Sequence, residues 1–470
     1  MLRSVSEVRL KLVVAALAAS AYSAIGLVRH WHFGSSAYDL GIFDQMVWHL
    51  SRFEAPASSI HGLSNMFGDH FSPIWMLLAP LYWLRPSPDT LIVAQGVIVA
   101  ASIPLVWLFL ERRLPKTEAA LLAIAYALFW GLQRGVQFDV HELMFAPVLI
   151  AWMLLAIDRG TGGLKPAGYV WPALLLCLVK EDQIPLVAAA AALAAWRSTS
   201  RARVTSAVVA VLALVWFVAV VKVIIPSLSD HGSYSVGSAF SQIAAHPLTS
   251  IPTIINPTKL NTLLLWLLPF VFLPLRSSYA LLLVPLALER FLSASPNHWG
   301  TSFHYSLPVA PIVAMAAGDG LAKLRSVGLR SVGLKSVGLK SVGLGIAGLC
   351  LLLSAFLPGR QPVWKLFSPA FYEAVPFASI ADRALAMIPD EASVAAQSAI
   401  VPHIRHRERM YILGGASQGN RSPDVVIAAP ELVSSWPLAD GAAVRAEVDR
   451  YLTQGYIRRF DEGGWVVLSK

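Results

Sequence analysis

Long apolar runs separated by short polar connections dominate the chain up to Pro358. A bilayer needs about 20 apolar residues per helix, so these runs predict membrane-spanning helices, the shorter ones extended into flanking loops or shielded by neighbours. The run 71–84 ends in Arg85-Pro86-Ser87-Pro88 and predicts a re-entrant or interfacial helix instead. About eleven spans are predicted, at 12–28, 90–110, 117–133, 143–157, 166–179, 184–196, 204–225, 261–275, 278–292, 306–321 and 342–358.

The first apolar run leaves two interpretations open. It follows Arg3, Arg9 and Lys11, and it contains Ala19-Ser20-Ala21, which would pass as the cleavage site of a signal peptide. The run is nevertheless long enough to span a membrane, and this interpretation is favoured.

Basic residues orient the predicted spans. With the N-terminus inside, the cytoplasmic segments 1–11, 111–116, 158–165, 197–203, 276–277 and 322–341 hold 17 Lys and Arg in 54 residues. Counting 71–84 as a full span would move the later basic clusters outside, against the positive-inside rule. We therefore expect a cytoplasmic N-terminus, all 12 histidines on the outer side and a multi-pass protein of the cell membrane.

A five-residue unit, R/K-S-V-G-L, is repeated four times between Arg325 and Leu344. A period of five with one glycine per unit is typical of neither a helix nor a strand. We interpret it as a tandem expansion that forms a basic cytoplasmic connector.

After Pro358 the apolar runs shorten and alternate with turn signals. Two helices are predicted around 370–388 and 440–453, and Glu462-Gly463-Gly464 predicts a hairpin turn. The chain is therefore predicted to form a transmembrane domain, 1–358, with an outer loop at 29–89, and a small extracytoplasmic α/β domain, 359–470. Its predicted strands are Ser393–Ala395, Met410–Leu413, Asp424–Ala428, Tyr456–Phe460 and Trp465–Leu468.

Composition supports this fold class, a polytopic α-helical membrane protein. Of 470 residues, 56% are hydrophobic and 14% charged, and the mean hydropathy is +0.60, which excludes a soluble protein. The net charge of +9 follows from the basic connectors, so no nucleic-acid partner is expected and the bilayer itself is the first partner. Cys177 and Cys350 lie in separate apolar runs and predict free thiols.

The stretch from Tyr38 to Leu50 carries two carboxylates just past the first apolar run. Its apolar positions predict a short amphipathic helix along the membrane surface, with Asp44 on another face. Asp39 precedes this helix, either as an N-cap or as a carboxylate placed at its entrance for chemistry.

Four other outer-side motifs carry ionisable groups. Each has a structural alternative: Asp139 could cap a helix near Leu143, Lys180 could pair with Glu181, and Arg290 could anchor a helix at the interface with Glu289. Because ionisable groups at membrane depth are costly, several such loops on one face favour a shared site. The candidate binding residues are Asp69, His70, Arg134, Asp139, His141, Glu142, Lys180, Glu181, Asp182, Arg290, His298, His304 and Tyr305.

Carboxylates, imidazoles and cations beside an apolar groove suit one chemistry. A carboxylate can take the proton of an attacking hydroxyl, and a Lys or Arg can bind the phosphate of a lipid carrier as it leaves. No cofactor is certain; a divalent cation held by Asp and His could assist, and the D-x-H-E spacing is compatible with one.

The motifs resemble those of a bacterial family of predicted membrane proteins known as a domain of unknown function, over nearly the whole chain. They are Y-D-L-G-I-F-D-Q from Tyr38, G-D-H-F-S-P from Gly68, F-D-V-H-E from Phe138, V-K-E-D from Val179, H-Y-S-L-P from His304 and A-S-V-A-A-Q-S-A-I-V-P-H-I-R-H-R-E-R from Ala392.

More distantly, the layout resembles the GT-C glycosyltransferases, which take sugars from polyprenyl-phosphate carriers. The resemblance implies that Asp39 or Asp44 is the catalytic base, although these carboxylates are five residues apart and form no tight D-x-D or E-x-D pair. The leading hypothesis is an integral membrane glycosyltransferase that uses a polyprenyl-phosphate sugar donor and a glycan, lipid or protein acceptor of the cell envelope. Asp39 would be the base, Asp44 an orienting or metal-binding partner, and Lys180, Arg134 or Arg290 the phosphate ligand.

Two other function classes remain open. A transporter or flippase for a lipid-linked or anionic solute would place its ionisable groups nearer the bilayer midplane and carry an internal inverted repeat, which the sequence does not show. An envelope assembly factor would act through the domain after Pro358 alone.

Overall fold

The protein is described here from a computed structural model. The description covers residues 2–158, 167–230, 256–293, 295–331, 336–359, 361–373, 378–416, 419, 421–432 and 434–470. His231 and His246, predicted on the outer side, lie outside these residues.

Helices form nearly the whole structure before residue 358. They are α1 (Leu2–Trp31), α2 (Ile42–Ser51), α3 (Ala79–Leu84), α4 (Pro88–Ala100), α5 (Ser102–Glu111), α6 (Lys116–Ala127), α7 (Trp130–Gln137), α8 (Ala146–Asp158), α9 (Ala167–Leu176), α10 (Ile184–Arg197), α11 (Ser200–Ala219), α12 (Ile225–Leu228), α13 (Pro257–Leu267), α14 (Leu283–Phe291), α15 (Val309–Ser331) and α16 (Ser336–Phe356).

In the described part of the chain, five helical stretches are long and apolar enough to cross a membrane. They agree with the predicted multi-pass fold, while the number eleven stays a prediction. The segment 71–84 is a short turn, Pro73–Leu77, followed by α3, and neither is long enough to span a bilayer. The five stretches are Ser6–Trp31, Pro88–Glu111, Lys116–Gln137, Arg201–Leu228 and His304–Ser326.

The predicted helix over 261–275 is broken. Helix α13 ends at Leu267, and Val271 and Phe272 follow with φ of 48° and 58°. A left-handed backbone cannot continue a right-handed helix, so the chain bends here. The apolar run alone gave no sign of this break, and the single-helix prediction is wrong.

Charged side chains tie the predicted cytoplasmic segments together at one end of the bundle. Lys11 Nζ lies 2.7 Å from Glu111 Oε2. Arg113 Nη1 donates to Asp158 Oδ2 at 2.7 Å, and its Nε also lies 3.4 Å from Asp319 Oδ1. Segments that the charge pattern assigned to one side of the membrane therefore meet at one end of the structure.

The repeat region contradicts its predicted structure. Where it is described, the backbone of the R/K-S-V-G-L units is helical, continuing α15 to Ser331 and resuming in α16 at Ser336. Residues 332–335 lie outside the described chain. Glycine costs a helix only about 1 kcal/mol relative to alanine, so one glycine in five does not prevent helix formation.

The C-terminal region forms a five-stranded sheet in the order β2-β1-β3-β5-β4. The two pairs that involve β1 are parallel, and the two that involve β5 are antiparallel. The strands coincide with the predicted ones, and the helices are α17 (Ala378–Ala386) and α18 (Gly441–Thr453). They are β1 (Val394–Ala396), β2 (Met410–Ile412), β3 (Val425–Ala428), β4 (Ile457–Glu462) and β5 (Trp465–Ser469).

This C-terminal domain covers the polar face of α2. Gln45 Nε2 donates to the Arg407 carbonyl at 2.9 Å, and the backbone N–H of Ala37 donates to the Ser398 carbonyl at 2.9 Å. The polar residues Gln45 and His49 are buried as a result. Helix α2 is thus packed between the bundle and the C-terminal domain, which corrects the prediction of an amphipathic helix lying free on a membrane surface.

Candidate active site

Asp39 lies on a single wide helical turn, Ala37–Gly41, between α1 and α2. It is not the N-cap of α2, because that position is Gly41. A Cβ at Gly41 would lie 3.2 Å from Val401 Cγ1 of the C-terminal domain, so this turn passes very close to the domain. The alternative that Asp39 merely caps a helix is therefore wrong.

Asp139 fixes the start of this turn. One of its carboxylate oxygens accepts the backbone N–H of Ser36 at 2.9 Å, and the other pairs with the Arg29 guanidinium at the end of α1. Its carboxylate is buried. Asp139 therefore does not cap the helix near Leu143; it connects the 138–142 loop to the entrance of the Asp39 turn.

The Asp39 carboxylate itself makes no hydrogen bond or ion pair with any residue in the described ranges. Burial, followed by the nearby charges of Asp139 and Glu142, raises the pKa of Asp39 to about 7, while Arg29 and Lys180 oppose the shift. A carboxylate in this state can accept a proton near neutral pH and has no internal partner to displace.

Glu142 and Lys180 form a buried ion pair between two predicted outer loops. Lys180 Nζ lies 3.2 Å from Glu142 Oε1 and 3.9 Å from Asp182 Oδ2. Although burial opposes both shifts, His141 and Lys180 hold the pKa of Glu142 well below its usual range, and Glu142 and Asp182 hold that of Lys180 well above it. Burial raises the pKa of Asp182 to about 6 despite Lys180.

Glu181 joins the same loop to the 29–89 loop. Its Oε1 lies 2.8 Å from His70 Nδ1, and its Oε2 accepts the backbone N–H of Phe71 at 2.9 Å. Burial and Lys180 lower the pKa of His70, but Glu181 and Asp69 outweigh them and raise it to about 9. The predicted Lys180–Glu181 pair is replaced by Lys180–Glu142 and His70–Glu181.

The 295–306 loop completes the cluster. Its His304 ring stacks on the His141 ring with centroids 3.6 Å apart, and Tyr305 lies against His298 at 4.5 Å. Arg290 holds this loop: it donates to the carbonyls of His298 and Gly300 and to Ser306 Oγ at 2.6 Å. Burial, with Lys180 and Arg290, lowers the pKa of His298 to about 4.

Two predicted residues lie outside this cluster. Asp44 faces the C-terminal domain, where its Oδ1 accepts the Tyr82 hydroxyl at 2.5 Å and its Oδ2 lies 2.8 Å from His406 Nε2. Arg134 lies in the last turn of α7.

Arg134 belongs to a group of three cations. Burial, then Arg134 and Arg29, lower the pKa of Lys365, which lies in the turn Pro362–Phe367. Among the described residues the Arg134 Nε has no hydrogen-bond partner. Sequence reasoning missed Arg29 and Lys365. Arg29 directly follows an apolar run, Lys365 lies far along the chain, and neither belongs to a dense polar motif.

An apolar cavity of about 480 Å³ is lined by Phe356, Gly359, Trp364 and Phe367. Trp364 and Phe367 share the Pro362–Phe367 turn with Lys365. A positively charged group and an apolar cavity are therefore adjacent along one short turn.

In the described residues, one group has the spacing of a metal site: the ligand atoms of His49, Glu54 and Glu408 lie within 4.8 Å of one another. It is near the C-terminal end of α2, about two turns from the Asp39 turn. Arg52 is paired there with Glu54 at 2.9 Å and with Glu408 at 3.5 Å. A divalent cation near Asp39 stays a prediction.

The sequence matches the profile of a family described as "Predicted membrane protein (DUF2079)" over residues 29–455. The chain belongs to this family. The match covers the Asp39 turn, every loop of the cluster and most of the C-terminal domain, and it confirms the predicted family. A search among curated proteins finds no match.

Two solved structures of ArnT share the fold of this DUF2079 member. ArnT from Cupriavidus metallidurans bound to undecaprenyl phosphate aligns with a TM-score of 0.56 at 12% identity, covering 99% of this chain and 98% of that one. The apo state of ArnT gives a TM-score of 0.57 at 11% identity over the same shares. The archaeal oligosaccharyltransferase AglB from Archaeoglobus fulgidus aligns with a TM-score of 0.42 at 13% identity, covering 98% of this chain and 74% of that one. The chain therefore has the overall fold of ArnT.

Proposed function

We propose that this protein is an integral membrane glycosyltransferase. It moves a sugar from a polyprenyl-phosphate donor to a hydroxyl of an extracytoplasmic acceptor in the cell envelope, a glycan, a lipid or a protein. The observation that carries the proposal is the Asp39 carboxylate, which lacks a hydrogen-bond partner among the described residues, has a pKa near 7 and lies amid groups from four loops. The ArnT fold, seen with undecaprenyl phosphate, supports a lipid-linked donor.

Asp39 acts as the general base. As the acceptor oxygen bonds to the anomeric carbon of the sugar, its proton passes to the Asp39 carboxylate, and the bond from that carbon to the phosphate oxygen breaks with its electron pair. Polyprenyl phosphate leaves as the anion. Asp44 positions α2 against the C-terminal domain and does not touch the reacting atoms, because its carboxylate is already held by Tyr82 and His406.

Arg134 binds the leaving phosphate, together with Lys365. Of the three cations expected for this role, Lys180 is paired with Glu142 and Asp182, and Arg290 is bound to its own loop. The Arg134 group has an excess of positive charge, which a phosphate would neutralise with charge-assisted hydrogen bonds. The adjoining apolar cavity suits the first isoprene units of the carrier.

The remaining members of the cluster line the cleft. Glu142, Lys180 and Asp182 set the charge around Asp39, and His70, Asp69 and Glu181 close one side of it. His141, His298, His304 and Tyr305 form a wall of stacked rings on another side. Orientation in the membrane follows the charge pattern: the N-terminus is cytoplasmic, and the Asp39 cluster and the C-terminal domain are extracytoplasmic.

The test is mass spectrometry of lipid-linked sugars and envelope glycans from cells that lack the gene and carry one variant each. With Asp39→Asn or Asp39→Ala, the glycosylated acceptor disappears and the sugar-charged carrier accumulates, while the protein stays in the membrane fraction. Asp449→Asn, on the exposed face of α18, is the matched carboxylate control and behaves as wild type. Full transfer by both Asp39 variants would end the assignment.

The phosphate site has a separate test in purified protein. Arg134→Ala and Lys365→Ala each raise the KM for the polyprenyl-phosphate donor by about tenfold, the effect of losing one charge-assisted hydrogen bond. Arg405→Ala removes a cation that is 84% exposed at its side chain and leaves the KM unchanged. Uptake of a solute into proteoliposomes without covalent transfer would instead favour a transporter.

A further inference from the structure

Three aromatic rings from three separate parts of the chain meet beside the Asp39 turn. Tyr38 comes from the turn itself, His61 from the 29–89 loop, and Trp436 from the C-terminal domain. The Tyr38 ring lies 5.1 Å from the Trp436 ring in an edge-to-face arrangement and 5.4 Å from the His61 ring. None of these residues has a part in the chemistry assigned to Asp39.

The two larger rings are open to solvent. Tyr38 is 45% exposed and Trp436 is 49% exposed. Several other aromatic residues are also exposed, among them Phe53 and Trp83, which contact each other at 5.9 Å near the end of α2 and suit the membrane interface. The Tyr38–Trp436 pair differs, because it joins the C-terminal domain to the residue directly before the proposed base.

Polar atoms border these rings. The Tyr38 hydroxyl lies 3.5 Å from His61 Nε2, which in turn lies 3.7 Å from an Asp69 carboxylate oxygen. The buried His61 Nδ1 has no hydrogen-bond partner among the described residues. Flat apolar rings edged by hydrogen-bonding groups match the surface of a sugar, whose C–H face packs on an aromatic ring while its hydroxyls bind the polar edge.

The charges near the rings favour a neutral ligand. Burial, then the Asp69 and Asp39 carboxylates, raise the pKa of Tyr38, so its hydroxyl stays protonated and available as a donor. The same carboxylates repel an anionic ligand at this position. The rings also lie where the C-terminal domain meets the 29–89 loop, and binding sites occur preferentially at interfaces between domains.

We propose that Tyr38, His61 and Trp436 form the binding platform for the acceptor, and that this acceptor is a neutral carbohydrate. The inference rests on the proposed glycosyltransferase function, which leaves open whether the acceptor is a glycan, a lipid or a protein. A sugar ring stacked on Trp436 and bordered by Tyr38, whose ring stands at 75° to that of Trp436, presents a hydroxyl to Asp39, the neighbour of Tyr38 in the chain.

The test measures binding of the full-length protein in detergent to an array of immobilised neutral oligosaccharides. Anionic oligosaccharides and serine- and threonine-containing peptides are arrayed beside them. Wild-type protein binds neutral oligosaccharides, Trp436→Ala and Tyr38→Ala weaken the binding by about tenfold or more, and Trp436→Phe recovers part of it. Phe53→Ala, which removes a more exposed ring at 86% exposure, binds as wild type.

Each other result overturns the proposal: no oligosaccharide bound by wild type, binding unchanged in Trp436→Ala, or a preference for peptides or anionic sugars. The Asp39→Asn variant separates this proposal from the proposed function, because it binds the array as wild type while transferring nothing. If the array fails but transfer in cells still depends on Asp39, the platform is wrong and the glycosyltransferase stands. If wild-type protein binds neutral oligosaccharides but transfer does not depend on Asp39, the carbohydrate platform stands and the assignment of Asp39 as the base is wrong.

Discussion

The Asp44 carboxylate lies 2.8 Å from His406 Nε2, in a contact that joins α2 to the C-terminal domain. Its second oxygen accepts the Tyr82 hydroxyl from α3. The Ser398 carbonyl of the same domain also accepts the backbone N–H of Ala37, which lies two residues before Asp39. The position of the C-terminal domain and the shape of the Asp39 turn are therefore linked through α2.

We expect Asp44→Ala to loosen this contact. It leaves the Tyr82 hydroxyl and His406 without their buried partner, which costs about 1–3 kcal/mol of the free energy of unfolding. Asp44→Asn keeps an oxygen that accepts the Tyr82 hydroxyl, so its free energy of unfolding falls by less. Thermal unfolding in detergent should rank the melting temperatures as wild type, Asp44→Asn, Asp44→Ala.

Limited proteolysis provides the second measurement for this contact. Trypsin should cut faster at Arg405 and Arg407 in Asp44→Ala, because these residues flank His406 in the docked segment. Asp449→Ala, with an exposed carboxylate on α18, should match wild type in both assays. An unchanged melting temperature in Asp44→Ala would show that the contacts of Asp44 do not hold the domain.

The transfer rate should depend on pH through Asp39. Its pKa is raised to about 7, so the carboxylate is protonated and inactive as a base below that pH, and kcat should fall about tenfold per pH unit on the acidic side. The acidic side of the pH profile of kcat should be the same in Asp449→Asn as in wild type. A kcat that is flat between pH 5 and 8 would contradict the role of Asp39.

The same shift predicts an effect on stability. A carboxyl group whose pKa is higher in the folded protein than in the unfolded chain binds its proton more tightly when folded, so its contribution to stability is present at low pH and is lost as pH rises from about 4 through 7. Asn does not titrate, so the Asp39→Asn variant does not lose stability at this position as pH rises. The melting temperature of Asp39→Asn relative to wild type should therefore rise between pH 5 and pH 8, by the equivalent of on the order of 1 kcal/mol or more.

Asp139 should act by positioning Asp39. Asp139→Asn keeps an oxygen for the Ser36 N–H but loses the charge that pairs with Arg29, whereas Asp139→Ala loses both contacts. We expect kcat to fall about tenfold in the first variant and about a hundredfold in the second, since a shift of 1 Å at a reacting group can cost that much. The acidic limb of the pH profile should also move, because Asp139 raises the pKa of Asp39. Loss of activity without any change in this limb would assign Asp139 a purely structural role.

Local sequence patterns predicted what depends on local structure. The five strands of the C-terminal domain, the Glu462–Gly464 turn and the two free buried cysteines follow from alternation, turn residues and apolar context. The basic connectors also predicted which segments share an end of the bundle, because that grouping is set by the order of spans along the chain.

Contacts between distant residues were beyond that reasoning. The partner of Asp139 is Arg29, 110 residues earlier, and Lys365 approaches Arg134 only because the chain returns after α16. Helix α2 was predicted from its apolar residues, but its burial depends on the C-terminal domain, where Arg407 contacts Gln45 from 362 residues later in the chain. The predictions for Val271 and for the repeat units were wrong for another reason. The apolar run gave no sign of the left-handed backbone at Val271, and one glycine in five costs too little to prevent a helix.

The Lys180–Glu142 pair connects two loops that sequence reasoning had treated separately, and a double-mutant cycle can measure its coupling. Glu142→Gln leaves Lys180 with Asp182 alone, at 3.9 Å, and Lys180→Met leaves Glu142 buried against His141. Breaking a buried pair costs about 3–5 kcal/mol because one charge stays uncompensated, so each single variant should lower the free energy of unfolding strongly. The variant with both changes removes both charges and should cost less than the sum, by about 1–3 kcal/mol. Additive losses would mean that each residue is held by its own loop, and that the pair does not hold the two loops together around Asp39.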